Sequence, residues 1–392
     1  MQRRRLMSAT CGIGVCSLLF LLTPPAHAAH FKVLHTFAGA PNDGNEPTAA
    51  LITDGTGNFY STTIAGGPSD YGTVFKMKPD GRVRILYSFP GFKNDGTAPT
   101  GGLIEDKKGN FYGTTTAGGT NNSGTVFKLA PDGKEKVLYS FGTGSDGVEP
   151  FAGVVRDKAG NLYGTTFLGG ASGNGTVYKV ATGGTETVLH AFEGSDGSGP
   201  FARLIIDSAG NLCGTTARGG AGDDGTVFRI APDGTFQTLY AFAGNDGAAP
   251  YGGLTEQKPG VYYGTTGEGG ANDGGVIFRL TARGNERVIY SFSGGQDGGF
   301  PSGELVFDAN GAIYGTTTYG GNDGTNGCAN RAGCGVVYRL SRKRSLRVLH
   351  AFTNGHDGSS PESALLMDPT GTLYGTAGFG GDHNEGLVFR VR

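Results

Sequence analysis

One short motif, Y-G-T-T followed three residues later by G-G, recurs along the whole chain and constrains its fold more than any other feature. The second residue of the motif is Gly113, Gly164, Gly214, Gly264, Gly315 and Gly375, with Ser61 in a degenerate first copy. Successive copies are 52, 51, 50, 50, 51 and 60 residues apart. A period of about 50 residues is typical of a repeat architecture in which one supersecondary unit is copied many times.

Each of the seven units contains four short strand-like runs with turn signals between them. In the second unit the runs are Gly102–Glu105, Asn110–Thr115, Thr125–Leu129 and Val137–Phe141. Two connections are tight hairpin turns rich in Asp, Gly and Pro. The other two are longer, and carry the G-G pair and a D-G-x-x-P element. Because no window has helical periodicity, we predict an all-β fold.

Seven units of four antiparallel strands predict a seven-bladed β-propeller, in which radial repetition leaves only short sheet edges. A solenoid is the alternative repeat architecture. The chain favours the propeller because Phe31–Phe37 resembles the fourth strand of a unit, whereas Leu387–Arg392 resembles a third strand. We therefore expect the first strand to complete the last blade and close a ring. Residues 29–392 then form a single domain.

Antiparallel strands place alternate connections on opposite faces of the disc. The tight hairpins share one face, and the G-G and D-G-x-x-P loops share the other, which we call the long-loop face. The 75 glycines have no G-X-Y period, which excludes collagen. Insertions and differences between units concentrate in the long loops, so we expect function on that face.

The segments Y-G-T-T-x-x-G-G, G-T-V-F-K and V-L-Y-S-F resemble the GloVer (Gloeo/Verruco) tandem repeats of exported bacterial proteins, over residues 31–392. This resemblance implies export and, in many members, a variable C-terminal surface anchor. It implies no established activity and no catalytic residues. Because the sequence stops at Arg392 within the last unit, it departs from the anchored pattern, and we do not expect the anchor here.

Residues 1–28 are predicted to be an export signal, with Arg3–Arg5 before an apolar run at 12–22 and a small-x-small site at Ala26–Ala28. Without these three arginines, 29 basic residues face 34 acidic ones, a net charge of −5. The charge is mild and evenly spread, so we expect no bound nucleic acid. No later stretch is apolar enough to span a membrane. We expect a secreted or periplasmic monomer.

Three cysteines remain after the leader. Cys328 and Cys334 lie close together, and in an oxidising compartment we expect them to form a disulfide. Cys213 replaces the tyrosine of Y-G-T-T, and we interpret it as a buried, inert thiol.

The D-G-x-x-P element supplies one aspartate from every unit. These are Asp43, Asp95, Asp146, Asp196, Asp246, Asp297 and Asp357. A ring of carboxylates could bind a ligand, holding Ca²⁺ or contacting sugar hydroxyls. The competing interpretation is structural, with each carboxylate bonded to the backbone of its own tight turn. A residue repeated in every unit favours the structural interpretation.

Two features break the symmetry on the long-loop face. His356, Asp382, His383 and Glu385 lie in loops of the last unit, and are the residues that could bind a metal. Solvated loop residues are the alternative. The sixth unit carries the insertion Asn322–Gly335, which contains both loop cysteines. His35, His190 and His350 replace a tyrosine of the fourth strand, and we interpret them as packing residues.

No nucleophile elbow, phosphate-binding glycine loop or H-E-x-x-H motif is present. We therefore predict an exported, non-enzymatic binding module, with a partner protein or a polysaccharide on the long-loop face. No cofactor is expected, with Ca²⁺ or another divalent ion as the alternative. The alternative function is a carbohydrate-active hydrolase or lyase that uses acidic residues of that face.

Overall fold

Seven four-stranded antiparallel sheets make up the computed structural model, which describes residues 30–91, 94–142, 144–321, 328 and 333–392. No helix forms within these residues. The sheets are the blades of a seven-bladed β-propeller, as the repeat period predicts. The leader predicted at residues 1–28 lies outside the described residues.

Strands are given from the central channel outward, blade by blade. Blades 1 to 4 comprise Ile52–Thr53, Phe59–Thr63, Thr73–Met77, Val83–Ser88; Ile104–Glu105, Phe111–Thr115, Thr125–Leu129, Glu135–Ser140; Val155–Arg156, Leu162–Thr166, Thr176–Val180, Glu186–Ala191; and Ile205–Ile206, Leu212–Thr216, Thr226–Ile230, Phe236–Ala241. Blades 5 to 7 comprise Thr255–Lys258, Val261–Thr266, Val276–Thr281, Glu286–Ser291; Val306–Phe307, Ile313–Thr317, Val336–Leu340, Leu346–Ala351; and Leu366–Met367, Leu373–Ala377, Leu387–Val391, Phe31–Thr36.

The ring closes through the N-terminal strand, as predicted. Phe31–Thr36 pairs antiparallel with Leu387–Val391, and aligns Phe31 with Val391 and Thr36 with Leu387. Both strands end one residue earlier than the sequence pattern indicates. Beyond them, His30 and Arg392 exchange two backbone hydrogen bonds of 2.9 and 3.1 Å. Blade 7 is therefore built from both ends of the described chain.

The glycine of Y-G-T-T is required by packing within the blade. A Cβ atom on Gly113 would lie 2.8 Å from the ring of Phe127 on the neighbouring strand and 3.1 Å from Leu103. Phe127 is fully buried, and it packs edge-on against Phe89 of the preceding blade, with 5.3 Å between ring centroids. The motif glycine thus makes room for an aromatic layer that joins adjacent blades.

The first threonine of Y-G-T-T links each blade to the next. The Thr114 hydroxyl donates to the carbonyl oxygen of Ala152 at 2.8 Å, and Thr376 closes the series by donating to Ala49 at 3.2 Å. The same bond recurs in all seven blades. This threonine belt consists of Thr62, Thr114, Thr165, Thr215, Thr265, Thr316 and Thr376.

Cys213 is buried and unpaired, as the sequence predicts. Burial raises the pKa of its thiol to about 12, which keeps it protonated and inert. The space of the missing tyrosine is filled from blade 5, where Tyr262 donates to Asp207 at 2.7 Å. In blade 2 the motif residue Tyr112 itself makes the equivalent bond, to Asp106. A small side chain in one blade is therefore compensated by a large one in the next.

Candidate functional site

The two long loops of every blade pair with each other, which places them on one face as predicted. In blade 2, Gly96–Thr97 pairs with Ala117–Gly118, and in blade 3 Val148 forms a bridge with Leu168. Corresponding pairs occur in the other five blades. The long-loop face is thus a ring of seven short ribbons around the channel.

Each aspartate of D-G-x-x-P accepts a hydrogen bond from the tyrosine or histidine of the strand before it. Tyr87 donates to Asp95 at 2.7 Å, and His190 lies 2.8 Å from Asp196. The same contact recurs at Asp43, Asp146, Asp246, Asp297 and Asp357. All seven carboxylates are thus engaged in holding the loops in place.

Backbone N–H groups complete these loop contacts. Gly96 N–H donates to Asp95 at 2.7 Å, as the structural interpretation of the element expects. In the last blade, burial raises the pKa of Asp357, but hydrogen bonds from His350 and Thr353 outweigh burial and lower this pKa.

The interpretation of His35, His190 and His350 as packing residues was incomplete. His190 stacks on Phe236 at 3.6 Å, yet its ring nitrogen also contacts a carboxylate.

The metal candidates lie on the long-loop face, but only two of them meet. His356 Nδ1 lies 2.5 Å from Asp382 Oδ1, and this contact lowers the pKa of Asp382. Asp382 also accepts from Thr36 at 3.3 Å. Among the residues that the structure describes, no three His, Cys, Asp or Glu side chains converge on one point.

The insertion of blade 6 is closed by the predicted disulfide between Cys328 and Cys334, whose Cα atoms are 5.4 Å apart. Most of the segment, residues 322–327 and 329–332, lies outside the described residues. The described part of the insertion comprises Cys328 and residues 333–335, in which the Gly335 N–H donates to the Gly320 carbonyl at 3.0 Å.

The residue after each proline of D-G-x-x-P faces the channel at the centre of the long-loop face. These seven residues form what we call the mouth ring: Thr48, Thr100, Phe151, Phe201, Tyr251, Ser302 and Glu362. The residue before each proline has a left-handed backbone, with φ between 52° and 60°. In blade 2 this residue is Ala98. Its N–H donates a hydrogen bond to the Tyr71 carbonyl, and its own carbonyl accepts one from the Thr116 N–H. These bonds hold the mouth ring on a fixed backbone.

Six aromatic side chains form a continuous arc on one side of the mouth, and all of them except Phe167 line the mouth cavity. In contact order they are Phe167, Phe151, Phe201, Tyr251, Phe300 and Tyr319, with successive centroids 5.0–5.4 Å apart. We call them the aromatic arc. Thr48, Thr100, Ser302, Thr318 and Glu362 add polar groups to the lining, and Ile64 adds an apolar one, around a cavity of about 310 Å³. The mouth therefore combines flat apolar surfaces with hydrogen-bonding groups.

An ion pair lies two residues beyond the mouth ring in the sequence, just before the inner strands of blades 4 and 6 begin. Arg203 Nε and Nη2 donate to the two carboxylate oxygens of Glu304 at 3.1 and 2.9 Å. The pair joins blade 4 to blade 6 over Gly253 of blade 5, where a Cβ atom would lie 2.8 Å from Glu304. This two-point contact places a charged pair among the residues that line the channel.

Comparison with known proteins identifies the repeat. The Gloeobacter/Verrucomicrobia repeat matches residues 7–205, 133–329 and 205–392, which together cover nearly the whole chain. The chain belongs to the Gloeobacter/Verrucomicrobia repeat family. No curated protein matches this family member.

Solved structures show the same fold as this Gloeobacter/Verrucomicrobia repeat protein at low identity. A streptogramin B lyase matches with a TM-score of 0.59 and 14% identity, covering 93% of this chain and 97% of the lyase. The virginiamycin B lyase of Staphylococcus aureus matches with 0.60 and 14%, covering 92% and 99%. The extracellular domain of a hybrid two-component system from B. thetaiotaomicron matches with 0.58 and 14%, covering 92% and 40%. At this identity the likeness shows the propeller fold alone.

Sequence reasoning missed the mouth ring, although the signal was present in the aligned units. The residue after the D-G-x-x-P proline is Thr, Thr, Phe, Phe, Tyr, Ser and Glu in the seven repeats. Five different residue types occupy this position in the seven blades, while the aspartate and proline of the element are the same in all seven. Variable positions next to invariant ones are where a repeat protein of this family can carry a specific function.

Proposed function

We propose that this repeat protein is a binding module whose ligand occupies the channel mouth on the long-loop face. The observation that carries the proposal is the aromatic arc, which faces hydrogen-bonding side chains across a concave mouth. Binding sites for small ligands and chain ends are typically concave, mostly apolar, and supplied with a few polar groups that orient the ligand. The Cys328–Cys334 disulfide and the predicted leader support a location outside the cytoplasm.

The chemistry of the mouth favours a sugar ring of a polysaccharide. A pyranose presents a face of C–H groups that can lie flat on an aromatic ring, and a rim of hydroxyls that need donors and acceptors. Phe201 and Tyr251 offer the flat surfaces, and Thr48, Thr100 and Glu362 lie on the opposite side. Phe151 and Phe201 already stack at 5.0 Å. Little side-chain ordering is then required on binding, which favours affinity.

The test compares two arc variants with a matched control. Phe201→Ala and Tyr251→Ala each remove one ring from the mouth. Phe379→Ala removes an exposed phenylalanine of the same face, 40% exposed and outside the arc. Retention on a panel of neutral polysaccharides is measured by affinity electrophoresis, with the melting temperature as a check on folding.

We expect the wild type and Phe379→Ala to be retained equally by at least one polymer. The arc variants should bind about tenfold more weakly, because a buried aromatic contact contributes on the order of 1–2 kcal/mol. Equal retention of all four proteins, or no retention of the wild type on any polymer, would refute the sugar-binding proposal.

A second candidate, a carbohydrate-active hydrolase or lyase, has one observation in its favour. Burial raises the pKa of Glu46, and the nearby carboxylates of Glu385 and Asp70 raise it further. An acid and a base with different pKa values are what glycoside cleavage requires. Incubation with the same polymers, followed by analysis for new reducing or unsaturated ends, separates the candidates. Turnover that Glu46→Gln abolishes would establish the enzyme, whereas retention without products supports the binding module.

A further inference from the structure

A groove between blades 5 and 6 is lined by basic side chains. It lies on the face of the disc that carries the tight hairpins. The basic side chains are Lys258, Arg279, Arg287, Arg342 and Arg344, grouped with Tyr263 around a cavity of about 380 Å³. No Asp or Glu is present among the described residues that line it. This basic groove lies on the face opposite the channel mouth.

In other blades a carboxylate neutralises the equivalent position. Asp308 of blade 6 accepts from the hydroxyl of Tyr314 at 3.1 Å, and lies 4.0 Å from Arg339. Blade 1 repeats the arrangement, with Lys76 lying 4.0 Å from Asp54. An aspartate at the start of the hairpin therefore lies between a tyrosine and a basic residue of the neighbouring strands.

Blade 5 lacks this carboxylate, because Gln257 occupies the position. Tyr263 and Arg279 remain in register with each other. Within the described part of the chain, neither side chain forms a hydrogen bond or an ion pair. Arg287 lies directly opposite Arg279 on the fourth strand, and like charges facing each other across strands are destabilising. Two arginines thus share this edge without the counter-charge present elsewhere.

A second departure adds charge to the same groove from blade 6. In blade 6 the hairpin turn is Arg342-Lys343-Arg344, whereas the corresponding turn of blade 2 is Pro131-Asp132-Gly133. Arg344 has a left-handed backbone, with φ of 62°, where Gly133 and its counterparts are glycine. Such a conformation costs an L-residue roughly 1–2 kcal/mol. Arg342 lies against Gly311, in the slot that a proline occupies in blade 2.

We propose that the basic groove binds a phosphate or sulfate group. Loss of an acidic residue in one blade and gain of basic ones in the next converge on a single cavity. Guanidinium groups present planar pairs of donors that match the oxygens of a tetrahedral anion. Arg279, Arg287 and Arg342 supply such pairs from two blades, and Tyr263 supplies a hydroxyl. The bound anion replaces the aspartate that the other blades provide.

The test restores the missing carboxylate within the intact protein. Gln257→Asp copies the aspartate of the other blades, and Gln257→Asn is the neutral control. A second variant, Arg342→Pro with Lys343→Asp and Arg344→Gly, copies the blade 2 turn, and decides the outcome if Gln257→Asp does not fold. Binding of inorganic phosphate is measured by isothermal titration calorimetry at two NaCl concentrations. Dextran sulfate and neutral dextran are compared in parallel.

We expect saturable binding to the wild type and to Gln257→Asn, weakened by salt. Gln257→Asp should bind about tenfold more weakly because its carboxylate competes with the anion for Arg279 and Tyr263. The turn variant should bind about tenfold more weakly because it removes the basic side chains of Arg342 and Arg344. Binding of dextran sulfate but not neutral dextran would identify a sulfated or phosphorylated polymer as the source of the anion, whereas binding of phosphate alone would identify a small phosphate ligand. The proposal is wrong if the wild type binds neither phosphate nor dextran sulfate saturably, or if every variant binds as tightly as the wild type.

Discussion

Three glutamates that begin fourth strands, Glu135, Glu186 and Glu286, each have a buried carboxyl oxygen without a hydrogen-bond partner in the described structure. Burial raises the pKa of Glu135 to about 8 and that of Glu186 and Glu286 to about 7. The aspartate of the adjacent D-G-x-x-P loop raises each pKa further. Around neutral pH the folded chain therefore retains protons that the unfolded chain has released.

The pH dependence of stability follows from these shifts. The folded pKa lies above the unfolded value of 4.5, so the contribution of these groups is fully present below pH 4.5 and is lost as pH rises towards 8. We predict that the free energy of unfolding in urea falls between pH 5 and pH 8. The triple variant Glu135→Gln, Glu186→Gln, Glu286→Gln should show a flatter profile, and the surface variant Glu193→Gln should follow the wild type. Parallel curves for wild type and triple variant would contradict the assignment.

At the residue scale, the sequence predicted contacts that are local in the chain and missed contacts that depend on how the chain folds back on itself. The turn role proposed for Asp95 follows from D-G alone, since the geometry is local. The hydrogen bond from Tyr87 was not predicted, because it depends on how the end of a strand folds back over its own loop. Thr100 and Phe151 are neighbours at the mouth because blade 2 packs against blade 3, and no pattern within a single unit encodes this packing.

At the scale of elements, the threonine belt makes a sharp prediction. Thr114→Val preserves shape but leaves the Ala152 carbonyl without the hydroxyl donor, and we expect a loss of about 1–2 kcal/mol in the free energy of unfolding. Thr125→Val is the matched control, because blade 5 already has a valine, Val276, in that position. The control should lose less than half as much in the same urea titration. Equal losses would mean that the belt stabilises the protein no more than the Thr115–Thr125 hydroxyl contact within the blade, which the control removes.

At the scale of the whole molecule, closure depends on one strand from the far end of the sequence. Deleting Phe31–Thr36 removes the outer strand of blade 7 and leaves Leu387–Val391 as an exposed edge. We predict aggregation, or a melting temperature lower by about 10 °C or more, as expected for a loss of several kcal/mol. A synthetic peptide of residues 30–37 added in trans should restore part of the lost stability. A truncated protein that stays monomeric with an unchanged melting temperature would refute this role for the strand.

The ring could be predicted from the sequence because period, strand count and the offset between first and last strands are all independent of side-chain detail. Phe31 pairs with Val391 as the offset requires. The basic groove could not be predicted in this way. Gln257 and Arg342 are 85 positions apart (342 − 257), and only the packing of blade 5 on blade 6 brings them to one cavity.

The acceptors of the threonine belt are carbonyl oxygens of the main chain, such as that of Ala152, one residue beyond the mouth ring. A main-chain acceptor is present whatever side chain the neighbouring residue has. Phe151 can therefore be exchanged for another residue without loss of the bond that holds blade 2 to blade 3. Substitutions can accumulate in the mouth ring without loss of the hydrogen bonds that hold the blades together. The seven mouth-ring positions can therefore differ from one another while the bonds between the blades stay the same.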